Sequence, residues 1–177
     1  LQQYPGEVLR YVILSAHYRS EQNFSKDLLD SAWRSLDTLY GFLRSQTAVV
    51  AAPCDVSDSE AYRALLDDLN TPVAVSELHK LARQMHGASG AEQALAKGRL
   101  LAVAHLMGLL QQDPEAWFKG ARGGDTISAE EIEELIAKRN QAKADRDFQT
   151  ADAVRNQLKE LGVTLEDSRE GTQWRRD

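Results

Sequence analysis

The sequence predicts a mainly α-helical protein, in which an antiparallel helical bundle precedes a small α+β domain. Apolar residues recur at helical spacing between residues 5 and 110. Glycines cluster at residues 119–127, and the last forty residues combine helical spacing with two short stretches that suit strands. We therefore expect a bundle domain at 1–118, a linker at 119–127 and a small domain at 128–177.

Five helical segments are predicted in the bundle. The first runs from Pro5 to about Tyr18 and is apolar nearly all round, which is typical of a buried, central helix. The second follows Ser25, a residue type that caps helix N-termini, and carries the strongest apolar stripe in the chain as far as Leu43. Residues 45–56 then predict a loop or linker, because small residues and a proline interrupt the pattern.

Capping signals predict the other three bundle helices. Ser57 and Glu60 form a capping-box pattern that begins the third helix. Thr71 suits the N-cap of the fourth, with Pro72 at its first position. The fifth runs over about 91–110 and is followed by a short helical turn.

The small domain is predicted to contain a helical hairpin and a β-hairpin. Its first helix begins at a second capping-box pattern, Ser128 with Glu131. Its second helix spans about 148–161 and ends at Gly162, where a left-handed residue is needed. Short strands are expected at 163–166 and 172–175.

Composition excludes several classes of protein. The single Cys54 can form neither a disulfide framework nor a cysteine zinc site within the chain, which fits a reducing, cytoplasmic setting. No apolar run approaches the roughly 20 residues that cross a bilayer, so no membrane partner is expected. The four histidines lie on different predicted helices or too far apart in register to form a paired metal motif, and no metal site is expected. The missing initiator methionine indicates a fragment.

Charge is unevenly distributed along the chain. The net charge of -6 argues at first against a nucleic-acid partner, because phosphates attract Lys and Arg. Residues 138–177, however, carry nine Lys/Arg against eight Asp/Glu, or +1, whereas residues 1–137 carry 12 against 19, or -7. The C-terminal region therefore suits sparse, base-specific contacts rather than broad non-specific binding. No phosphate-cradling glycine loop or Ser/His/Asp arrangement is found, so we expect no catalytic site in this chain.

The C-terminal region contains the clearest candidate binding residues. Phe148 and Asp152 lie one helical turn apart, with Arg155 one turn further, so stacking and hydrogen bonding can act together on single-stranded RNA. The alternative is that Phe148 packs inside the helical hairpin while Asp147 and Asp152 face water. Asp167, where the β-hairpin turns, can accept from a base amino group or stabilise the turn.

Four further residues are candidate contacts with RNA or with a neighbouring domain. Tyr18 and Arg19 follow the first helix as a polar and aromatic corner, which can also serve only to cap the bundle. Arg146 and Arg175 are basic residues near the helical hairpin and the end of the chain.

Nearly the whole chain resembles the C-terminal half of bacterial cysteinyl-tRNA synthetase, a class I aminoacyl-tRNA synthetase. Six blocks match in order: Glu7–Tyr11, His17–Ser20, Asn23–Ser25, Asp67–Pro72, Leu106–Leu110, and Asp147–Phe148 through Trp174–Arg176. The resemblance implies a bundle of the class I anticodon-binding type that supports the tRNA body, and a small domain that reads the GCA anticodon of cysteine tRNA. That ligase attaches cysteine to its tRNA in an ATP-dependent reaction for translation.

The resemblance also implies partners and site residues. The partners are cysteine tRNA and the catalytic domain of the same polypeptide, and ATP and zinc are expected only in that missing catalytic half. Lys143 would supply a cation, Phe148 a stacking face, and Asp152 and Asp167 acceptors for base amino groups. Some members have Arg at the Lys143 position and Trp at the Phe148 position. Because Lys cannot copy a bidentate Arg contact, a phosphate contact is the expected role of Lys143.

A protein-interaction module is the competing interpretation. Asp147–Phe148, Ala151–Asp152, Arg155 and Leu158 also resemble the helical hairpin of UvrB/UvrC-type repair proteins. That pattern is short and leaves residues 1–137 unexplained.

Overall fold

A computed structural model describes residues 4–120, 127–168 and 171–176 of the protein. The helices of this part are α1 Gly6–Leu14, α2 Lys26–Arg44, α3 Glu60–Leu66, α4 Thr71–Gly87, α5 Gly90–Leu106, α6 Pro114–Lys119, α7 Ala129–Ala144 and α8 Phe148–Glu160. Two strands, β1 Val163–Ser168 and β2 Gly171–Arg176, form an antiparallel sheet. The predicted mainly α-helical fold with a small β-hairpin is confirmed.

The described residues form two compact units. One contains residues 4–114, and the other contains the described residues from 115 onward. Most of the predicted linker at 119–127 lies outside the described residues, as do residues 169 and 170 between the two strands. The predicted domain boundaries therefore stay predictions.

The first unit is a helical bundle arranged around α4, which packs against α1, α2, α3 and α5. The prediction that the first helix is the central one is wrong. Large, fully buried side chains of this bundle include Val8, Val12, Leu36, Leu39, Tyr40, Leu78, Met85, Leu100 and Leu109. The apolar stripe predicted for α2 accounts for three of these residues, and Ser25 caps α2 as predicted by accepting from the Leu28 N–H at 3.2 Å.

Helix α1 is shorter and less buried than the sequence predicts. It ends at Leu14 because side chains take the carbonyl groups of its last turn. The Gln22 amide donates to the Val12 carbonyl at 2.9 Å, and the Ser15 hydroxyl donates to the Tyr11 carbonyl at 2.7 Å. Ile13 is exposed, so α1 has one apolar face towards the core rather than an apolar surface all round.

The predicted N-terminus of α3 is wrong by two residues. Ser57 does not cap a helix, because its N–H and hydroxyl both donate to the carboxylate of Asp55, at 2.9 and 2.8 Å. Ser59 is the N-cap instead and accepts from the Tyr62 N–H at 3.1 Å. A local Asp–Ser hydrogen bond therefore competes successfully with the capping box.

The predicted cap of α4 is also wrong by one residue. Asn70 is the N-cap and makes no capping hydrogen bond through its side chain, while Thr71 is the first helical residue. The Thr71 hydroxyl donates to the carbonyl of Ala16 at 3.4 Å. The two residues before Asn70, Asp68 and Leu69, have left-handed backbone conformations with φ of 54° and 51°, so α3 ends at Leu66 instead of continuing to α4.

The loop after α2 is fixed to α5. The Lys97 ammonium donates to the carbonyls of Gln46 and Val49, at 2.8 and 2.7 Å. The Ala52 N–H donates to the carbonyl of Ala94 at 2.9 Å. Residues 46–52 therefore lie along α5 as an ordered part of the bundle.

The second unit packs α7, α8 and the β-hairpin around one small core. Its buried members are Ile132, Ile136, Val154, Leu158, Val163 and Trp174. The Ser128–Glu131 capping box is confirmed, because both of its reciprocal hydrogen bonds are present. Gly162 has the predicted left-handed conformation, with φ of 73°, and the strand pairing sets Leu165 opposite Trp174.

Candidate nucleic-acid interface

The turn between α7 and α8 fixes where α8 begins. Arg146 has a left-handed backbone conformation, with φ of 61°, which reverses the chain direction. The Asp147 N–H donates to the Ala142 carbonyl at 2.8 Å, and the Asp147 carboxylate accepts from the Thr150 N–H at 3.0 Å. Hydrogen bonds from Thr150 hold the pKa of Asp147 below its usual value. Asp147 is therefore the N-cap of α8, and Phe148 is the first helical residue.

Phe148 projects into solvent from the start of α8. Its side chain is 65% exposed, so the alternative in which it packs inside the helical hairpin is wrong. Asp152 and Arg155 are also exposed and follow Phe148 at helical spacing along one flank of α8. The face that packs into the core is formed by Ala151, Val154 and Leu158. An aromatic ring and a carboxylate are thus available together on one surface.

Asp167 lies at the centre of a charged cluster on the neighbouring hairpin. Its Oδ1 accepts from Arg139 Nη1 at 3.0 Å and from the Thr172 hydroxyl at 2.8 Å. Its Oδ2 accepts from Arg139 Nη2 at 2.6 Å and from Lys143 Nζ at 3.1 Å. The hydrogen bonds from Arg139, first of all, and from Thr172 and Lys143 hold the pKa of Asp167 far below its usual value.

These four hydrogen bonds fill the acceptor sites of Asp167. A carboxylate has two oxygens with about four lone-pair sites in total. In the free protein Asp167 therefore stabilises the hairpin turn, which is one of the two roles predicted for it. The structure brings Lys143 into direct contact with Asp167, so the ammonium group predicted to contact phosphate has a partner within the chain.

Arg139 connects this cluster to Asp152. The hydrogen bonds that Arg139 donates to Asp167 raise the pKa of the guanidinium most strongly, burial opposes that change, and the charges of Asp167 and Asp152 add to it. The charges of Asp167 and Asp152 therefore both act on Arg139, although one carboxylate lies on a strand and the other on α8.

The other two basic candidates of this unit have different surroundings. Arg146 is exposed, at the left-handed position of the α7–α8 turn. Arg175 lies in β2, where its Nε is 3.5 Å from Glu166 Oε1, an ion pair without hydrogen-bond geometry. Arg146 is therefore the more accessible cation of the two.

Tyr18 and Arg19 form a corner of the bundle with Asp68. The Tyr18 hydroxyl donates to Asp68 Oδ1 at 2.7 Å, and Arg19 donates to the same oxygen at 3.2 Å. The His17 ring stacks on Tyr18 with 4.8 Å between the ring centroids. The predicted capping role is present, because these contacts join the end of α1 to the turn before α4. Tyr18 is also exposed, so contact with another molecule stays a prediction.

Two parts of the chain match models of known domain families. Residues 128–175 match the cysteinyl-tRNA ligase anticodon binding domain, and residues 61–111 match the DALR domain. Over 177 residues the chain is 50% identical to the cysteine–tRNA ligase of Saccharophagus degradans and 48% identical to that of Maricaulis maris.

The chain belongs to the cysteinyl-tRNA ligase family.

The chain corresponds to only part of these ligases. The match includes 99% of this chain but 39% of the length of the Saccharophagus protein and 38% of the Maricaulis protein. A third ligase, from Parvibaculum lavamentivorans, is 44% identical over 177 residues, and 38% of its length is covered. The chain thus corresponds to a part of these ligases that includes their anticodon binding domain, which matches residues 128–175.

All four residues predicted to face the anticodon lie within the match to the ligase anticodon binding domain. They are Lys143, Phe148, Asp152 and Asp167. Asp68 lies within the DALR match, whereas Tyr18 and Arg19 precede it. The family match does not assign a role to any single residue, so the predicted roles stay predictions.

Arg139 is a residue of this site that the sequence did not point to. It is buried at 3% exposure, on the same side of α7 as Ile132 and Ile136. A cation at a core position is the available signal, because a buried charge needs a partner. The sequence does not identify that partner, since Asp167 is 28 residues away.

Two further properties concern metals and membranes. Within residues 4–120, 127–168 and 171–176, no three His, Cys, Asp or Glu side chains are arranged to hold a metal ion. The zinc expected for the ligase catalytic half therefore has no fitting donor set here, and we assign it no residue. No helix in the described part of the chain is long and apolar enough to cross a membrane.

Proposed function

We propose that this chain binds cysteine tRNA, with the second unit reading the GCA anticodon and the bundle supporting the tRNA body. The exposed Phe148 ring, one helical turn from the exposed Asp152 carboxylate, is the observation that carries this proposal. Unpaired anticodon bases can stack on an aromatic side chain and be recognised at their edges by hydrogen bonds. The ring and the carboxylate supply these two interactions on one surface.

Each candidate residue has its own proposed role. Phe148 stacks on a base, Asp152 accepts from a base amino group, and Lys143 contacts phosphate. Arg146 and Arg175 are proposed to contact tRNA or a neighbouring domain, as are Tyr18 and Arg19 on the bundle. Asp167 is also proposed to accept from a base, and this requires one of its present partners to leave.

The whole ligase is proposed to attach cysteine to its tRNA in an ATP-dependent reaction for protein synthesis in the cytoplasm. In this proposal, the catalytic domain of the same polypeptide binds ATP and zinc, and the residues described here bind neither. The family membership and the partial coverage of the relatives support this division of roles. The competing UvrB/UvrC-like interaction module accounts for one helical hairpin and for nothing in the bundle, so we do not adopt it.

Anticodon reading can be tested by titration. A labelled anticodon stem-loop of cysteine tRNA is titrated with the 177-residue chain at fixed salt, beside a stem-loop in which the anticodon alone is changed. We expect tighter binding to the cysteine anticodon, because base-edge contacts depend on sequence whereas phosphate contacts do not. Equal affinities for the two stem-loops would rule out anticodon reading.

Phe148→Ala tests the stacking contact. We expect it to weaken stem-loop binding by about 1–3 kcal/mol, because a stacked base loses its platform. The free energy of unfolding should change by no more than about 0.5 kcal/mol, since the ring is exposed in the free protein. Gln157→Ala is the matched control, an exposed position about two and a half turns further along the same helix and on its opposite side. An unchanged affinity for the Phe148 variant would remove stacking from the proposal.

A further inference from the structure

The partners of Asp167 differ in how tightly they are held. The Arg139 side chain is 4% exposed and reaches both carboxylate oxygens, at 3.0 and 2.6 Å. The Lys143 side chain is 42% exposed and reaches one oxygen, at 3.1 Å. The carboxylate itself is 47% exposed. Asp167 is thus held from the protein side by a planar guanidinium and covered on its open side by a flexible ammonium group.

The two ion pairs should respond differently when another donor approaches. Two parallel hydrogen bonds from a guanidinium fix the plane of a carboxylate as well as its position. Breaking that pair would strand a buried cation, which is costly. An exposed Lys–Asp pair contributes little stability and can exchange with solvent or with another donor. The acceptor site taken by Lys143 is therefore the one most readily vacated.

We propose that Arg139 is a positioning residue for base recognition, which holds Asp167 in place while a base amino group takes the acceptor site that Lys143 occupies in the free protein. This inference rests on the proposed anticodon binding by the second unit. On binding, the base N–H replaces the Lys143 N–H at Asp167 Oδ2, and the released ammonium group becomes available to a phosphate. No proton is transferred in this exchange, and Arg139 remains bound to the carboxylate throughout.

The exchange explains how Asp167 can read a base although its acceptor sites are full. It also gives Lys143 two successive partners of the same charge, a carboxylate and then a phosphate. Arg139 never touches the RNA in this arrangement and acts only through Asp167. Its effect should therefore be confined to the one anticodon position that Asp167 contacts.

The test uses four stem-loops, one with the cysteine anticodon and three with a single anticodon base replaced. The ratio of dissociation constants between each altered stem-loop and the cysteine stem-loop measures discrimination at that position. The variants of the 177-residue chain are Arg139→Gln, Arg139→Lys, Asp167→Asn, Asp152→Asn and Lys143→Gln. Lys138→Gln is the control, since Lys138 is an exposed cation next to Arg139 with no ion pair among the described residues.

We expect Asp167→Asn and Arg139→Gln to reduce discrimination by about tenfold or more, and at the same anticodon position. Asp152→Asn should reduce it at a different position. Lys143→Gln should keep discrimination at the Asp167 position, while the slope of log affinity against log salt falls by about one. Lys138→Gln should change neither quantity.

Circular dichroism shows whether Arg139→Gln folds. If it does not fold, Arg139→Lys takes its place in the test. It keeps the charge but not the planar fork, so discrimination at the Asp167 position should still fall. If a folded Arg139→Gln or Arg139→Lys variant kept the wild-type ratio at that position, the inference would be overturned. Loss of discrimination in Lys143→Gln would also overturn it, because Lys143 would then be reading the base. A wild-type chain that discriminates at no position would contradict the proposed function instead.

Discussion

At Gly98 a single missing methyl group determines how closely two segments pack. A Cβ atom at this position would overlap with the carbonyl oxygen of Ala52, in the loop that lies along α5. The clash would involve backbone, which cannot rotate away as a flexible side chain can. Gly98 is thus required by the close approach and not by an unusual φ angle.

Gly98→Ala should lower the free energy of unfolding by about 1–3 kcal/mol, because the loop must shift to relieve the overlap. Urea unfolding measures this change. Gly41→Ala is the control, because a Cβ there meets no atom within 4 Å. Because Gly41 lies in the last turn of α2, that variant should raise stability by up to about 1 kcal/mol. If Gly98→Ala were as stable as Gly41→Ala, the Ala52 carbonyl would not lie close enough to Gly98 to exclude a Cβ atom.

The candidate binding residues differ in how far sequence could predict them. Phe148 could be proposed from its helical spacing to Asp152, but the sequence left open whether its ring is exposed, which the structure shows it to be. Asp167 could be located at the hairpin turn but not given its partners, since both cations come from α7, at 28 and 24 residues' separation. Arg139 escaped notice for the same reason. Contacts within one helix are readable from sequence, and contacts between elements are not.

At the scale of elements, α1 and α4 are joined by a partly buried polar contact. Tyr11 Oη lies 2.7 Å from His79 Nε2, and the two rings meet edge to face. Burial lowers the pKa of His79 below its usual 6.5, and the charge of Arg83 lowers it further. Burial likewise raises the pKa of Tyr11. Both groups are therefore neutral in the folded protein near pH 7.

This contact should make the bundle less stable in mild acid. Below about pH 6.5 the unfolded chain binds a proton at His79 that the folded chain resists, so stability falls as pH drops. Above that pH the ring is neutral in both states and contributes no pH dependence. Urea unfolding at pH 7.5 and at pH 5.5 should show a smaller decrease for His79→Gln than for the wild type. Equal decreases would remove His79 as the cause.

The caps show why some element boundaries could be predicted and others could not. Ser128 and Glu131 formed the predicted capping box because no nearby group competes for them in the described structure. At Ser57 a carboxylate two residues earlier took the hydroxyl, and the cap moved to Ser59. Helix α1 ended early because Gln22, from outside the helix, bonds to its last turn. Competing partners, rather than weak propensity, displaced these boundaries.

At the scale of the whole first unit, Glu7 joins three distant segments. Its buried carboxyl group accepts from the Tyr40 hydroxyl at 2.9 Å and from the Leu110 N–H at 2.6 Å. Burial raises the pKa of Tyr40 well above its usual range, so the hydroxyl keeps its proton and can donate. Helix α1, helix α2 and the segment after α5 are thereby held at one point.

Glu7→Ala should lower the free energy of unfolding of the chain by about 2–6 kcal/mol, because two buried donors lose their acceptor at about 1–3 kcal/mol each. Glu7→Gln keeps one carbonyl acceptor in nearly the same shape and should lose clearly less. Denaturant unfolding of both variants gives the comparison. Equal losses would mean that the volume of the side chain matters and its hydrogen bonds do not.

The Glu7 contact also sets an order of events during synthesis. Its backbone donor, Leu110, is 103 residues further along the chain. At about 5–20 residues per second, a ribosome needs roughly 5–20 s to add that stretch. Until then α1 has no complete site to enter, and the carboxyl group of Glu7 remains hydrated. The bundle can therefore close only after its last helix has been translated, so α1 is among the last of its helices to become native.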